Sequence, residues 1–385
     1  MDLALTTEQN LLKQTVQDFV AREFPKERVR EVYDSPTGFA PDLWQQMSSL
    51  GWAGLLIPAE YDGLGSDFTT LGVLFEELGA GLCPGPLLSS SVMGATAILE
   101  GGSEEQKRSL LPGIARGERI LAFAFTESDY GWGPEKVALS VKEQGGEYVL
   151  NGTKMFVPDA HIADQLLVVG RSEPGDGGDG LTAVVVDQTA PGVSMRTLSG
   201  WLGDKMNEVT FRNVKVAQSA LIGPAGGAWP AIEKALDVGA VAISAYMVGG
   251  CRRVFEMSIE RSQTRIAFGV AIGTLQHVQA YLVEMANLEE ATRWSTFEAL
   301  WKMDEGRADA PQAISMAKAI ASDSYFRATE GAHHIHAGLG VDMDYGLPFY
   351  TQKARTLQNY LGDLAHHRDR MATFLELDQP LPAAV

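Results

Sequence analysis

Along the first ~115 residues apolar positions recur every three or four places, the spacing that lays one face of a helix against a core. Thr6 and Gln9 form a capping-box pattern ahead of Leu11, Leu12, Val16, Phe19 and Val20, and Pro25 interrupts the run. PDLWQQMSSLGW (41–52) predicts a second amphipathic helix that stops at Gly51. FTTLGVLFEELGAGL (68–82) predicts a third, more apolar and so more buried. Ser103 and Gln106 repeat the capping pattern before Leu110 and Leu111.

From ~119 to ~222 the period shortens to two. ILAFAFTE, KVALSVKE, EYVLNGTKMFV, DQLLVVGRS, LTAVVVDQ and NEVTFRNVKV are short runs rich in Val, Phe and Thr. QGG, Asn151-Gly152 and EPGDGGDG are turn signals expected to separate them. Strands without intervening helices predict an antiparallel barrel or sandwich. The glycine-rich 174–180 stretch reads as a flexible loop, since it lacks the strand–helix context of a phosphate-binding loop. Helix signals then resume over ~228–262, ~275–306 and ~311–338, and such lengths predict a helical bundle or an oligomer interface. The expected division is a helical segment over 1–117, a β segment over 118–224, a helical bundle over 225–378 and a frayed tail at 379–385.

Composition narrows the partners. The length of 385 residues suggests two or three domains. Forty-nine acidic against 31 basic residues leave a net charge of −18, which argues against nucleic acid or an anionic membrane as partner. Cys83 and Cys251 suit no metal pattern and read as reduced thiols, so a cytoplasmic location is expected and no metal. MDLALTTEQN has an acid where a signal peptide needs bases, so no export signal is expected. VGAVAISAYMVGGC (238–251) is too short to span a bilayer and reads as a buried helix.

Five stretches in this order resemble the acyl-CoA dehydrogenase family across nearly the whole chain. They are GSEEQKRSLLPGIARGE, AFAFTES, YVLNGTKMFVPDA, RIAFGVAIGTLQ, and HIHAGLGV followed by NYLGD. The resemblance implies an α+β fold with an N-terminal helical domain, a middle antiparallel β-barrel domain and a C-terminal four-helix bundle. It implies FAD as cofactor, an acyl-CoA substrate, an electron-transfer flavoprotein as electron acceptor, and a homo- or heterotetramer. By themselves Arg265 and Phe268 would read as a helix-end charge and a core aromatic. In the family motif the Arg meets the flavin diphosphate, which suits a guanidinium, and the Phe packs by the adenosine, with Gln276 completing the spacing. Gly338 and Gly340 would by default stop a helix, whereas the resemblance makes them a close approach of backbone to cofactor. Phe125, Thr126, Phe156, Pro158, His334, Ala337 and Asp363 complete the implied cofactor contacts, and Asp237, Tyr360 and Leu361 the implied substrate contacts.

Family members remove an α proton with a carboxylate while the β hydrogen leaves as hydride to the flavin. Here the usual Glu position in Tyr-Glu-Gly is Leu361, within Tyr360-Leu361-Gly362-Asp363. The second family site, a few residues after an Asp on the long helix, holds Gly239, Ala240 and Val241 after Asp237. The hairpin Lys154-Met155-Phe156-Val157-Pro158 replaces the usual Thr hydroxyl with proline, and TESDYGWG lacks the Pro-Gly-Ala-Gly-Ser-Asp loop. The ending YLGDLAHHR resembles the shorter chain of heteromeric family members whose unlike partner supplies the base. A homo-oligomer with a relocated base is the alternative, with Asp363, Asp129 and Glu127 as candidates. A third reading keeps the fold for non-redox CoA-thioester binding, hydration or lyase work.

Overall fold

The computed structural model describes residues 4–198, 200 and 204–375, so the expected tail at 379–385 lies outside the described residues. Helices α1 (Thr7–Glu23), α2 (Lys26–Asp34), α3 (Pro41–Ser49), α4 (Phe68–Ala80), α5 (Ala95–Gly101) and α6 (Glu104–Ala115) come first. Both expected capping boxes form, Thr6 with Gln9 and Ser103 with Gln106. Helix α3 ends before Gly51, whose φ of 82° is the left-handed backbone that glycine adopts without strain. Nine of the 13 residues of α4 are buried, as its continuous apolar character requires.

The β region holds β1 (Leu121–Ala124), β2 (Ser140–Gln144), β3 (Glu147–Pro158), β4 (Gln165–Arg171), β5 (Leu181–Asp187), β6 (Val193–Leu198), β7 (Met206–Ala217) and β8 (Leu221–Ile222). They form one sheet in the order β6-β7-β3-β2-β4-β5-β8, with β1 beside β4. Most pairs are antiparallel, but β1–β4 and β2–β4 are parallel, and no pairing among the described residues joins β6 to β8. The expected β domain is present; its sheet is mixed and not wholly antiparallel, and the hydrogen-bonded path among the described residues runs from β6 to β8. Asn151-Gly152 is not a turn either. It is a bulge inside β3, where the register with β7 shifts between Leu150 and Gly152 and Asn151 Oδ1 accepts the Asn213 amide at 2.8 Å.

Helix α7 (Trp229–Thr264) follows, then a short hairpin of β9 (Ile266–Ala267) and β10 (Val270–Ala271). Helices α8 (Gln276–Asp304), α9 (Ala310–His336), α10 (Leu347–Asn359) and α11 (Leu364–Phe374) complete the chain. The three long helices fall where the pattern places them, and residues 238–251 of α7 are buried throughout. Among the described residues no helix is long and apolar enough to cross a membrane. Both cysteines are free and buried.

Contacts group the chain into two compact units. One comprises the described parts of Met1–Val29, Phe68–Cys83 and Ala240–Val385; the other comprises Arg30–Asp67 and Pro84–Gly239. In the first, α9 packs against α8, α10 and α11, and α4 against α1 and α8. A buried ion cluster ties α4 to the long helices. Arg252 meets Glu76 and Glu77 at 2.6 Å each, and Arg293 meets Glu76 at 2.7 Å.

Candidate active site

In the first unit the chain leaves α10 through a tight turn at 360–363. Tyr360 and Leu361 are buried, Leu361 has a φ of 59°, and Gly362 follows at 95°. The Leu361 carbonyl accepts from His367 Nε2 at 2.9 Å, and the Gly362 carbonyl accepts from Lys318 Nζ at 2.8 Å. Burial pushes the Lys318 amine down to about 7 against the opposing pull of Asp363, and pushes His367 down to about 2 with help from the Lys318 charge. Asp363 caps α11, its Oδ1 accepting the His366 amide at 2.8 Å. Of its candidate roles, helix capping is the one the geometry displays.

The hairpin after α7 is exposed. Arg265 offers a guanidinium with no acceptor among the described residues, and the Phe268 ring is 92% exposed on a left-handed backbone at φ 55°. Phe268 is therefore not the core aromatic that it would read as by itself. Gln276 opens α8, exposed on the same unit. At the end of α9, His334 is exposed and stacks on Tyr281 with ring centroids 4.9 Å apart. The left-handed residue of the following turn is Ala337 at φ 50°, not either glycine. A Cβ at Gly340 would lie 2.9 Å from His333 Nδ1, whereas one at Gly338 would meet no atom of the described residues within 4 Å. Packing within the chain thus accounts for Gly340 and not for Gly338.

In the second unit, β1 runs into a segment fastened to β3. Thr126 donates its hydroxyl to the Met155 carbonyl at 2.5 Å and accepts the Met155 amide at 2.9 Å. Glu127 Oε1 accepts from Lys154 Nζ at 2.8 Å and from the Ala138 and Leu139 amides at 3.0 and 2.9 Å. Three donors thus converge on one oxygen of Glu127, and that oxygen holds the loop. Asp129 is exposed and pairs with Lys136 at 3.4 Å. Phe125 is buried against Trp132, and the half-buried Phe156 meets Tyr130 edge-to-face at 4.9 Å. Pro158 ends β3 opposite Met206, and Asp237 is buried on α7.

Residues 6–118, 122–214 and 226–375 match the N-terminal, middle and C-terminal domains of acyl-CoA dehydrogenase. The chain is 30% identical to a 3-(aryl)acrylate reductase of Clostridium sporogenes, over 93% of this chain and 95% of that one. It is 31% identical to a cyclohex-1-ene-1-carbonyl-CoA dehydrogenase of Geobacter metallireducens, over the same shares. A chain in the solved structure of the Acidaminococcus fermentans electron-transferring flavoprotein superposes with a TM-score of 0.90 at 28% identity, covering 98% of this chain and 100% of that one. The chain belongs to the acyl-CoA dehydrogenase family.

Membership makes it an oxidoreductase acting on CH–CH groups, with FAD as cofactor. Its own residues fit the diphosphate and adenosine end of that cofactor, because Arg265 and Phe268 are exposed and unused by the chain's own packing. At the reacting end acyl-CoA dehydrogenase chemistry needs a carboxylate, and position 361 holds a buried leucine. The residues that brace the turn, Lys318 and His367, were not singled out by sequence reasoning, nor was Lys154 given its role. Each is a basic residue within a run whose periodicity makes the position internal, and that mismatch is the signal that could have found them.

Proposed function

We propose that this chain is one subunit of a FAD-dependent acyl-CoA dehydrogenase that α,β-desaturates an acyl-CoA thioester, with the base supplied by an unlike partner subunit. The observation that carries this reading is Leu361, buried at 3% exposure and left-handed at the family's Glu position. Glu127 holds the loop and Asp363 caps α11, so neither supplies a replacement. The segments 1–117, 118–224 and 225–378 serve as the helical, β and helical domains, in a cytoplasmic tetramer. An electron-transfer flavoprotein takes the electrons onward, a reading supported by the A. fermentans likeness. Relatives named for aryl and cyclohexene acyl groups support a ring-bearing acyl chain.

FAD, when bound, would supply the acceptor for the β hydrogen and its electron pair. Arg265 would hold its phosphate through charge-assisted hydrogen bonds, with Phe268 and Gln276 toward the adenosine end, while Phe125, Thr126 and Phe156 are the further cofactor contacts that the family resemblance implies. The partner's carboxylate takes the α proton. The second reading is a relocated base within this chain. Asp129 is the carboxylate it would use, being exposed, with Oδ1 accepting the Gly131 amide at 3.3 Å and Oδ2 paired with Lys136.

The cofactor assignment is tested with Arg265→Ala. Loss of a hydrogen bond to a charged group should weaken flavin retention by about 1.5–3 kcal/mol, with the fold intact because Arg265 is exposed. Unchanged flavin content and affinity, for the chain alone and in complex, would remove Arg265 from the site.

A further inference from the structure

Two buried bases lie beneath one backbone turn. Lys318 comes from the middle of α9 and His367 from the first turn of α11, and they are 0% and 2% exposed. They donate to consecutive carbonyls, His367 to Leu361 and Lys318 to Gly362. A carbonyl only accepts, so His367 carries its proton on Nε2, and its buried Nδ1 has no partner among the described residues. Lys318 spends its other hydrogens on Ser322 Oγ at 2.8 Å and on the Leu357 carbonyl at 3.3 Å, at the end of α10.

Filling this space with apolar side chains would avoid burying two ionisable groups, which burial disfavours. What apolar groups cannot do is grip two successive carbonyls. The two gripped carbonyls lie on the peptide planes either side of Gly362, and Lys318 also holds the Leu357 carbonyl at the end of α10. Residue 361 therefore joins an anchored helix end to an anchored peptide plane and has few dihedrals open to it. A leucine at φ 59° persists only where its surroundings over-determine it.

We propose that Lys318 and His367 are positioning residues that hold residue 361 in the left-handed conformation and so fix the direction of whatever side chain stands there. The proposal rests on the proposed function only for what that side chain faces. In this chain the device orients an apolar wall at the acyl group, and in family members with Glu at this place the same turn would carry the base.

The test compares glycine with alanine at 361. Left-handed backbone penalises alanine and not glycine, reversing their usual order. In the full chain, Leu361→Gly should therefore unfold with an equilibrium constant about fivefold more favourable to the folded state than Leu361→Ala. In a His367→Leu background the gap should close to within about twofold, and His367→Gln, which keeps a donor amide, should restore it. Comparing the two substitutions within one background cancels general destabilisation. Lys318→Met should close the gap as well, and the His367 series decides the matter if that variant does not fold. A gap preserved in His367→Leu overturns the proposal.

A second readout is acyl-CoA affinity of the flavin-loaded protein, with cyclohexanecarboxyl-CoA as the probe. His367→Leu should weaken it about tenfold and His367→Gln should recover it. Equal affinity in all three proteins overturns the positioning role. If the parent binds no acyl-CoA, the proposed function fails, and the glycine–alanine gap still judges the clamp.

Discussion

Lys154 Nζ, fully buried, donates to Glu127 Oε1 at 2.8 Å and to the Phe125 carbonyl at 2.7 Å. One amine therefore joins β3 to the exit of β1, and Glu127 extends the tie to the Ala138 and Leu139 amides. Removing one partner leaves the other buried and uncompensated, so Glu127→Gln should cost about 3–5 kcal/mol in urea unfolding. Burial holds the Lys154 amine down at about 8, against 10.5 for an ordinary lysine. The unfolded chain therefore binds this proton more readily between those values, and stability should rise with pH through that window. Lys154→Met should flatten that rise.

His367 gives the opposite end of the pH scale. Its ring is held at about 2 by burial and by Lys318, against an ordinary 6.5. Below 6.5 the unfolded ring takes up a proton that the folded ring refuses, so stability should fall as pH drops from 6.5 toward 2. His367→Gln should weaken this acid sensitivity, measured by urea midpoints at pH 7, 5 and 4. An unchanged acid slope would mean that the ring is not shielded as the geometry requires.

Helices α4 and α7 meet backbone to backbone in the first unit. A Cβ on Gly249 would fall 1.7 Å from the Glu76 carbonyl oxygen, and one on Gly79 would fall 1.9 Å from that of Tyr246. Alanine is the better helix former by roughly 1 kcal/mol, so local propensity predicts stabilisation. Steric overlap with backbone cannot be relieved by a rotamer change, so Gly249→Ala and Gly79→Ala should each destabilise by at least ~1–3 kcal/mol. Thermal unfolding of the two variants decides which effect wins.

Much of this architecture is legible in the sequence because the responsible signals are local. Thr6 and Ser103 announce their helices through side chains three residues away, and the continuous apolar run of α4 states its own burial. Strand β6 carries no such signal, since VSMRTL has no buried residue and owes its existence to pairing with β7. Asn151-Gly152 has the local chemistry of a turn, yet a long-range bond to Asn213 makes it a bulge. In the candidate site, the leucine at the family's Glu position is visible in the sequence alone. The bases that brace it are not, because Lys318 and His367 meet the turn only after α9, α10 and α11 have packed.

The central claim is that this chain carries no base of its own for the α proton. Its most direct test is anaerobic mixing of the purified flavin-loaded chain with cyclohexanecarboxyl-CoA or a 3-arylpropionyl-CoA, following the bleaching of the flavin. Loss of a positioned base typically costs about 10²–10⁴ in rate. The chain alone should therefore reduce its flavin at least ~100-fold more slowly than the same chain assembled with its unlike subunit. Equally fast bleaching by the chain alone, abolished by Asp129→Asn with flavin still bound, would contradict the claim and place the base in this chain.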